Sequence, residues 1–499
     1  MDNKILISHR ITLTLFLTIS ILPPAFSADY YFWTYNSGSA PRYTSPLPAC
    51  IDFRAEVHNN NSFYTIAKDD GSYFFSESNY QCRVKLTAPK GQTFSTSRIY
   101  LRGGNGCPPD RVYNQTTGEC ANDNQKGSAD LKSCEAEPIN VSIGNNYLSE
   151  TDYSSGKSLP LTFIRRYNSS DGLWRHNFST HLRFAGSKYA SVVMNDGREH
   201  FFIIDGATVT SDTPASGTLS KVLNGWNYLS TNNEIFQFDN TGKLTQWTMS
   251  TGTAVQLSYS DNQITIISNS GDSLSLIEDQ HSQPLTLSTT SAQIIYEYDN
   301  KNHLKSRVTS SKGKTSLRQY HYEDTLSSKL LTGITNENGV RYATWSYDDQ
   351  GRTLSNEHIN GTAKMMLAYH LDGSTTVTNE HGKETTYRFQ AIQGIKRITD
   401  IEGQPSPNCA SSNSTFTYDA RGLLQTKTDA KGNVTTYDYN ARGLETSRTE
   451  ASGTPQARTI TTEWHPTLYL KTKVTEPNRI TTYQYDTQGR QTGQIVTPR

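Results

Sequence analysis

At 499 residues the chain exceeds one ordinary compact domain. Apolar residues at only 34% and a mean hydropathy of -0.65 favour wet β-structure rich in Thr, Ser and Tyr over a thick helical core. Lys plus Arg and Asp plus Glu both number 47 with no block of like charge, which removes the electrostatic basis for a nucleic-acid partner or for docking on anionic lipid.

Lys4 and Arg10 precede an apolar run over residues 11–22, followed by Pro23, Pro24 and Ala25-Phe26-Ser27. That order predicts a secretory signal peptide over 1–27 and a secreted or cell-surface product, with the periplasm as an alternative address. The run is shorter than the ~20 residues that span a bilayer, and no later segment is long enough, so no membrane insertion is expected after cleavage.

Residues 28–135 read as a Cys-containing, β-rich N-terminal domain and linker. Cys50, Cys82, Cys107, Cys120 and Cys134 cluster early, and Cys409 stands alone. Turn formers at both ends of the segment 107–120 suit a hairpin closed by a Cys107–Cys120 disulfide, worth about 3 kcal/mol. Cys50 with Cys82 is the second candidate pair and Cys134 with Cys409 the remainder, although six cysteines permit many connectivities. Zinc finds no Cys-x-x-Cys. Turn capping accounts for Asp69-Asp70 and Asp348-Asp349 without calcium, and His176 and His181 are expected to pack rather than bind metal.

At Glu137-Pro138-Ile139-Asn140-Val141-Ser142-Ile143-Gly144 the character changes. Glu150-Thr151-Asp152-Tyr153, then Leu161-Thr162-Phe163-Ile164-Arg165-Arg166-Tyr167-Asn168-Ser169, then Gly172-Leu173-Trp174 follow. Order and spacing resemble the domain that precedes YD repeats in many Rhs proteins, carried by Pro138, Asn140, Gly144, Asp152, Tyr153, Arg166, Tyr167 and Trp174. Glu137 stands where the family usually has Asn, and Leu173 where it usually has Gly. This domain is placed at 136–235.

From 236 to 499 Tyr-Asp or a near equivalent recurs, followed by Gly. Instances are Tyr298-Asp299, Tyr347-Asp348 with Gly351-Arg352, Tyr418-Asp419 with Gly422, Tyr439 with Gly443, and Tyr485-Asp486 with Gly489-Arg490. Positions 298, 322, 347 and 369 step by 24, 25 and 22, and 418, 439, 464 and 485 by 21, 25 and 21. Each period holds two short strands and two turns, with the Asp capping one turn and the Gly supplying positive φ. One hairpin cannot bury a face alone, so successive hairpins must stack. The expected fold is all-β: a small disulfide-stapled β head followed by a spiralling antiparallel β-hairpin sheet, part of a YD-repeat shell.

The resemblance to Rhs repeats, wall-associated proteins, toxin-complex shells and teneurins implies a scaffold rather than an enzyme. In that family a hollow β-shell encloses a C-terminal toxin, and catalysis belongs to a core and toxin after the repeats; neither signature occurs here. No Gly-x-Ser-x-Gly elbow or phosphate-cradling loop is present, so no catalytic residue, cofactor or metal is expected. The expected partner is a separately encoded core or toxin polypeptide. A cell-surface adhesin or carbohydrate-binding module, meeting a surface glycan or protein, is the alternative, and a truncated Rhs fragment the second. The repeating tyrosines are expected to fill seams between strands rather than to grip sugar.

Overall fold

The computed structural model describes residues 30–499 except 36–39, 61–64, 70–71, 77, 105, 109–110, 116, 129–138, 157–159, 212, 261–262 and 404–412. The expected signal peptide, Pro138, Cys134 and Cys409 lie outside the described residues. No helix among those described is long and apolar enough to cross a membrane.

The head is a five-stranded antiparallel sheet, with strands at Phe32–Thr34, Thr65–Asp69, Tyr73–Ser76, Asn79–Thr87 and Thr93–Gly103. It is not purely β, because a helix occupies Pro46–Asn60. Prolines at 46 and 48 sit in its first turn, where their missing N–H costs nothing. Ala49, Cys50, Phe53 and Val57 recur at helical spacing and bury against Val84 and Tyr100 of the sheet. A disulfide from Cys50 to Cys82 fastens helix to sheet, and a second joins Cys107 to Cys120 across the hairpin Val112–Asn114 and Glu119–Ala121.

Residues 139–176 and 181–211 form two separate four-stranded antiparallel sheets, together called the plug below. Everything from Thr218 onward is one 26-stranded antiparallel ladder in strict sequence order. The ladder thus begins ahead of the expected boundary at 236. Its first hairpins, such as Thr218–Val222 with Gly225–Leu229, lack the Tyr-Asp signature that marks the later ones.

Hairpin turns alternate between the two rims of this ribbon, and every Tyr-Asp-type turn falls on the same rim. Asp348 is typical: its Oδ1 accepts from the backbone N–H of Gln350 and of Arg352. Asp299, Asp419 and Asp486 repeat the pattern at their own i+2 and i+4 amides, and Asn440 replaces Asp at Tyr439. The paired tyrosine reaches back to the preceding turn on that rim. Tyr298, Tyr347, Tyr418, Tyr439 and Tyr485 hydroxyls donate to the carbonyls of Pro284, Leu331, Ile398, Leu424 and Lys471, at 2.6 to 2.8 Å. One dipeptide therefore closes its own turn and pins it to the previous one.

The ribbon coils through a full turn. Asn233, on the plain rim, donates from Nδ2 to the Tyr469 carbonyl at 3.0 Å and accepts the Tyr469 N–H at 2.7 Å, although 236 residues separate them. Beside this contact Gly443, at φ 73°, lies so close to Pro214 that a Cβ would meet the proline ring at 2.5 Å. The Tyr-Asp rim of the last hairpins thus rests on the plain rim of the first.

Candidate functional site

Residues paired across strands share a face, so the inner wall of the coil can be followed strand by strand. It runs through Phe236, Trp247, Val255 and Ser268, and later through Leu276, Leu287 and Ile294. The plug fills this part of the bore. Phe163, Tyr167, Trp174, Phe178 and Leu182 share one buried cluster with the wall residues up to Tyr347, while Ile139 and Val141 join Leu367, Val377, Tyr387 and Ile401.

The residues that carried the family resemblance make these contacts. Asn140 Oδ1 accepts from Ser142, and its Nδ2 donates to Gln125. The Gly144 carbonyl accepts from both the N–H and the hydroxyl of Thr353. Tyr167 takes the Leu331 N–H and donates to the Lys329 carbonyl, and Trp174 Nε1 donates to the Tyr322 hydroxyl at 3.0 Å. Tyr153 packs on the same core, and Arg166 pairs with Arg175 across the plug sheet.

At the centre lies a buried ion network that the sequence pattern did not reveal. Arg165, fully buried, binds Asp152 through Nε and Glu150 through Nη2 at 2.8 Å. Arg307 of the wall binds Asp152 at 2.7 Å, and Arg318 binds Glu150 at 2.8 Å. Tyr296 donates to Asp152 and Tyr320 to Glu150. Burial alone would raise the Asp152 carboxyl, but the charges of Arg165 and Arg307 override it and hold it below the usual carboxylate range. Arg165 lies only 15 residues from Glu150 and 13 from Asp152, but the wall tyrosines that complete the network, Tyr296 on Asp152 and Tyr320 on Glu150, lie 144 and 170 residues away, so no local spacing betrays it.

Beyond Gly403 the same face changes. Its row passes through Ser414, Phe416 and Lys427, then Tyr437, Arg448 and Ile460, then Thr462, Val474, Thr481 and Tyr483. Phe416, Tyr437, Arg448, Val474 and Tyr483 are only half-buried. Arg448 bridges Glu445 at 2.9 Å and Glu450 at 3.3 Å, and Arg458 binds Glu450 at 2.7 Å. Burial pushes the Tyr437 phenol up and that of Tyr439 to about 12, so both stay protonated donors at neutral pH. This strip combines aromatic faces, hydroxyls and paired charges. Among the described residues no cluster of His, Cys, Asp and Glu is arranged to hold a metal. His176 is buried against Glu278 at 2.9 Å and stacks on Phe163.

Residues 418–455 match the RHS Repeat family, and 136–202 match a family described as a Domain of unknown function (DUF6531). The chain is an Rhs/YD-repeat protein. In this Rhs protein the repeat match covers the middle of the half-buried strip, with Lys427, Tyr437 and Arg448, and the other match covers most of the plug. No curated protein matches it. Similar solved structures include the following three. The crystal structure of TcdB2-TccC3 without its hypervariable C-terminal region is 10% identical over 87% of this chain and 27% of that one, with a TM-score of 0.39. TcdB2-TccC3-TEV is 14% identical over 94% and 25%, with a TM-score of 0.34. TcdB2-TccC3-Cdc42 is 12% identical over 84% and 25%, with a TM-score of 0.29. The chain spans about a quarter of the length of each.

Proposed function

We propose that this Rhs protein is an exported, non-catalytic scaffold whose coiled wall encloses a partner polypeptide against the strip from Ser414 to Tyr483. The observation that carries the reading is the change of the inner wall at Gly403. Before it, the protein's own plug covers the apolar row; after it, the row continues in register with aromatic rings and hydroxyls only half-covered. Protonated phenols and paired guanidiniums suit the holding of a polypeptide by stacking and hydrogen bonds. The natural candidate is a core or toxin polypeptide encoded nearby.

The test places a photo-crosslinking side chain at Tyr437, on the inner face, or at Thr436, on the outer, and co-expresses the product of the adjacent reading frame. The expected result is crosslinking from 437 alone, with the partner shielded from added protease. Equal crosslinking from both positions, or unchanged digestion of the partner, overturns the proposal.

A further inference from the structure

Granted the enclosing role proposed above, on which this step rests, the bonding capacity left open along the half-buried strip defines the chemistry of its occupant. Cross-strand pairing sets Lys427 beside Phe416, Arg448 between Tyr437 and Ile460, Arg458 beside Glu450, and Lys471 beside Trp464 on the inner face, with Glu445 beside Tyr439. Between Ser414 and Thr475 four cations therefore share that face with two carboxylates. The outer face of the same strands carries Asp438, Glu463 and Lys473. The wall is positive inside and slightly negative outside.

The two inner carboxylates are already engaged. Glu445 takes Arg448 at 2.9 Å, and Glu450 takes Arg448 at 3.3 Å and Arg458 at 2.7 Å. Lys427 and Lys471 instead meet ring faces, of Phe416 at 6.0 Å and of Trp464 at 5.8 Å, and neither meets a carboxylate among the described residues. The Tyr437 and Tyr483 hydroxyls also have no hydrogen-bond partner among those residues. Lys427 pairs with Thr435, which makes Tyr437 its diagonal neighbour at about 7–8 Å, within reach of both long side chains.

Donors and positive charge are thus open on this face, while its acceptors and negative charge are occupied. A half-covered ammonium beside a phenol is best met by an anionic oxygen, which forms charge-assisted bonds with both. Phosphate and carboxylate share that chemistry, and the balance of charge separates their sources. A duplex binder makes about 6–10 phosphate contacts, far beyond two unpaired lysines, and a nucleic acid lying here would also meet Glu445 and Glu450. Phe416, Tyr437, Ile460 and Val474 between the charges suit apolar side chains instead.

We infer that the enclosed polypeptide presents Asp or Glu side chains among apolar ones to this strip, with one carboxylate received between Lys427 and Tyr437. Fluorescence anisotropy on the full chain tests it with three labelled probes: a peptide alternating Glu with Phe and Leu, the same peptide with Gln for Glu, and single-stranded DNA. The Glu peptide should bind about tenfold or more tightly than the Gln peptide, the worth of one hydrogen bond to a charged group. Lys427→Gln should remove about that factor for the Glu peptide and leave the Gln peptide unchanged. Lys473→Gln, which removes a lysine from the outer face, should alter neither. No binding of the Glu peptide, equal affinity for the two peptides, undiminished binding by Lys427→Gln, or DNA held as tightly as the Glu peptide each overturns the assignment. If Tyr437 still crosslinks an enclosed partner in any of those cases, enclosure stands and only the carboxylate chemistry falls.

Discussion

Two stretches of the same ribbon share one hairpin geometry and differ in what their inner face is made of. From Thr218 to Gly403 that face carries Trp247, Leu276, Ile294, Trp345 and Val377, nearly all sealed beneath the plug. From Ser414 to Pro498 it carries Phe416, Lys427, Tyr437, Arg448 and Tyr483, and only a few residues, such as Ile460 at 2% exposure, are fully buried. The Asp or Asn turn and the tyrosine bond recur in both, from Tyr298 and Tyr347 in the first to Tyr418, Tyr439 and Tyr485 in the second, so this rim chemistry does not depend on the inner face. The inner face is thereby free to vary, and its composition decides whether the protein fills its own bore or leaves it for something else.

The sharpest break of this contrast is expected at Arg165. Arg165→Met leaves Asp152 and Glu150 facing the wall with one fewer cation, and losing one partner of a buried pair costs about 3–5 kcal/mol. Urea denaturation should show the loss in the transition of the plugged half. A change below about 1 kcal/mol would mean that Arg307 and Arg318 alone neutralise both carboxylates.

Acid should act on the plugged half before the bare one. His181, buried beside Arg183 and Arg175 with Glu278 as the nearby acid, has its ring pushed down to about 4 from 6.5, chiefly by burial. Below pH 6.5 the unfolded chain takes up this proton and the folded chain does not until about pH 4, so stability falls across that window and then levels. The shift corresponds to about 2 kcal/mol after allowance for the ring's residual solvent contact. His181→Gln should flatten the wild-type slope between pH 6.5 and 4, and an unaltered slope would assign it to other groups.

How far the sequence carried this picture depended on how local each signal was. Tyr347-Asp348 with Gly351 is a complete instruction within five residues, and it placed the turns, the rim and the strand order. The Cys107–Cys120 pair was legible because the residues flanking it already encode a hairpin, whereas Cys50–Cys82 joins a helix to a strand and has no such local signal. The helix Pro46–Asn60 was not legible, since Asp52, Arg54 and Glu56 interleave with Ile51, Phe53, Ala55 and Val57 and imitate a strand's alternation. The early hairpins from Thr218 were missed because they lack Tyr-Asp. The Arg165 network and the Asn233 contact depend on how the coil brings distant strands together, which no periodicity encodes.

The tyrosine bonds gauge the two halves with one chemical change. Tyr347 is buried, donates to the Leu331 carbonyl at 2.6 Å and accepts from Asn146 at 3.1 Å, so Tyr347→Phe orphans two groups and should cost about 1–2 kcal/mol. Tyr485 makes the equivalent bond to Lys471 at 2.8 Å in a solvated setting, where Tyr485→Phe should cost under about 0.5 kcal/mol because water replaces the hydroxyl. Equal losses would mean that burial beneath the plug is irrelevant to the rim bond.

The most local expected effect probes the coil itself. Asn233 sits at φ 59° and holds Tyr469 by two hydrogen bonds. Asn233→Gly keeps that backbone conformation accessible and removes only the amide, so the fold should lose about 1 kcal/mol or less. The diagnostic is local. Hydrogen exchange at the Tyr469 amide should accelerate while Leu276 and Ile294, deep in the plugged half, keep their protection. Acceleration that spreads to those strands would mean that closure of the coil holds the plug in place, rather than the plug setting the curvature on which the last hairpins come to rest.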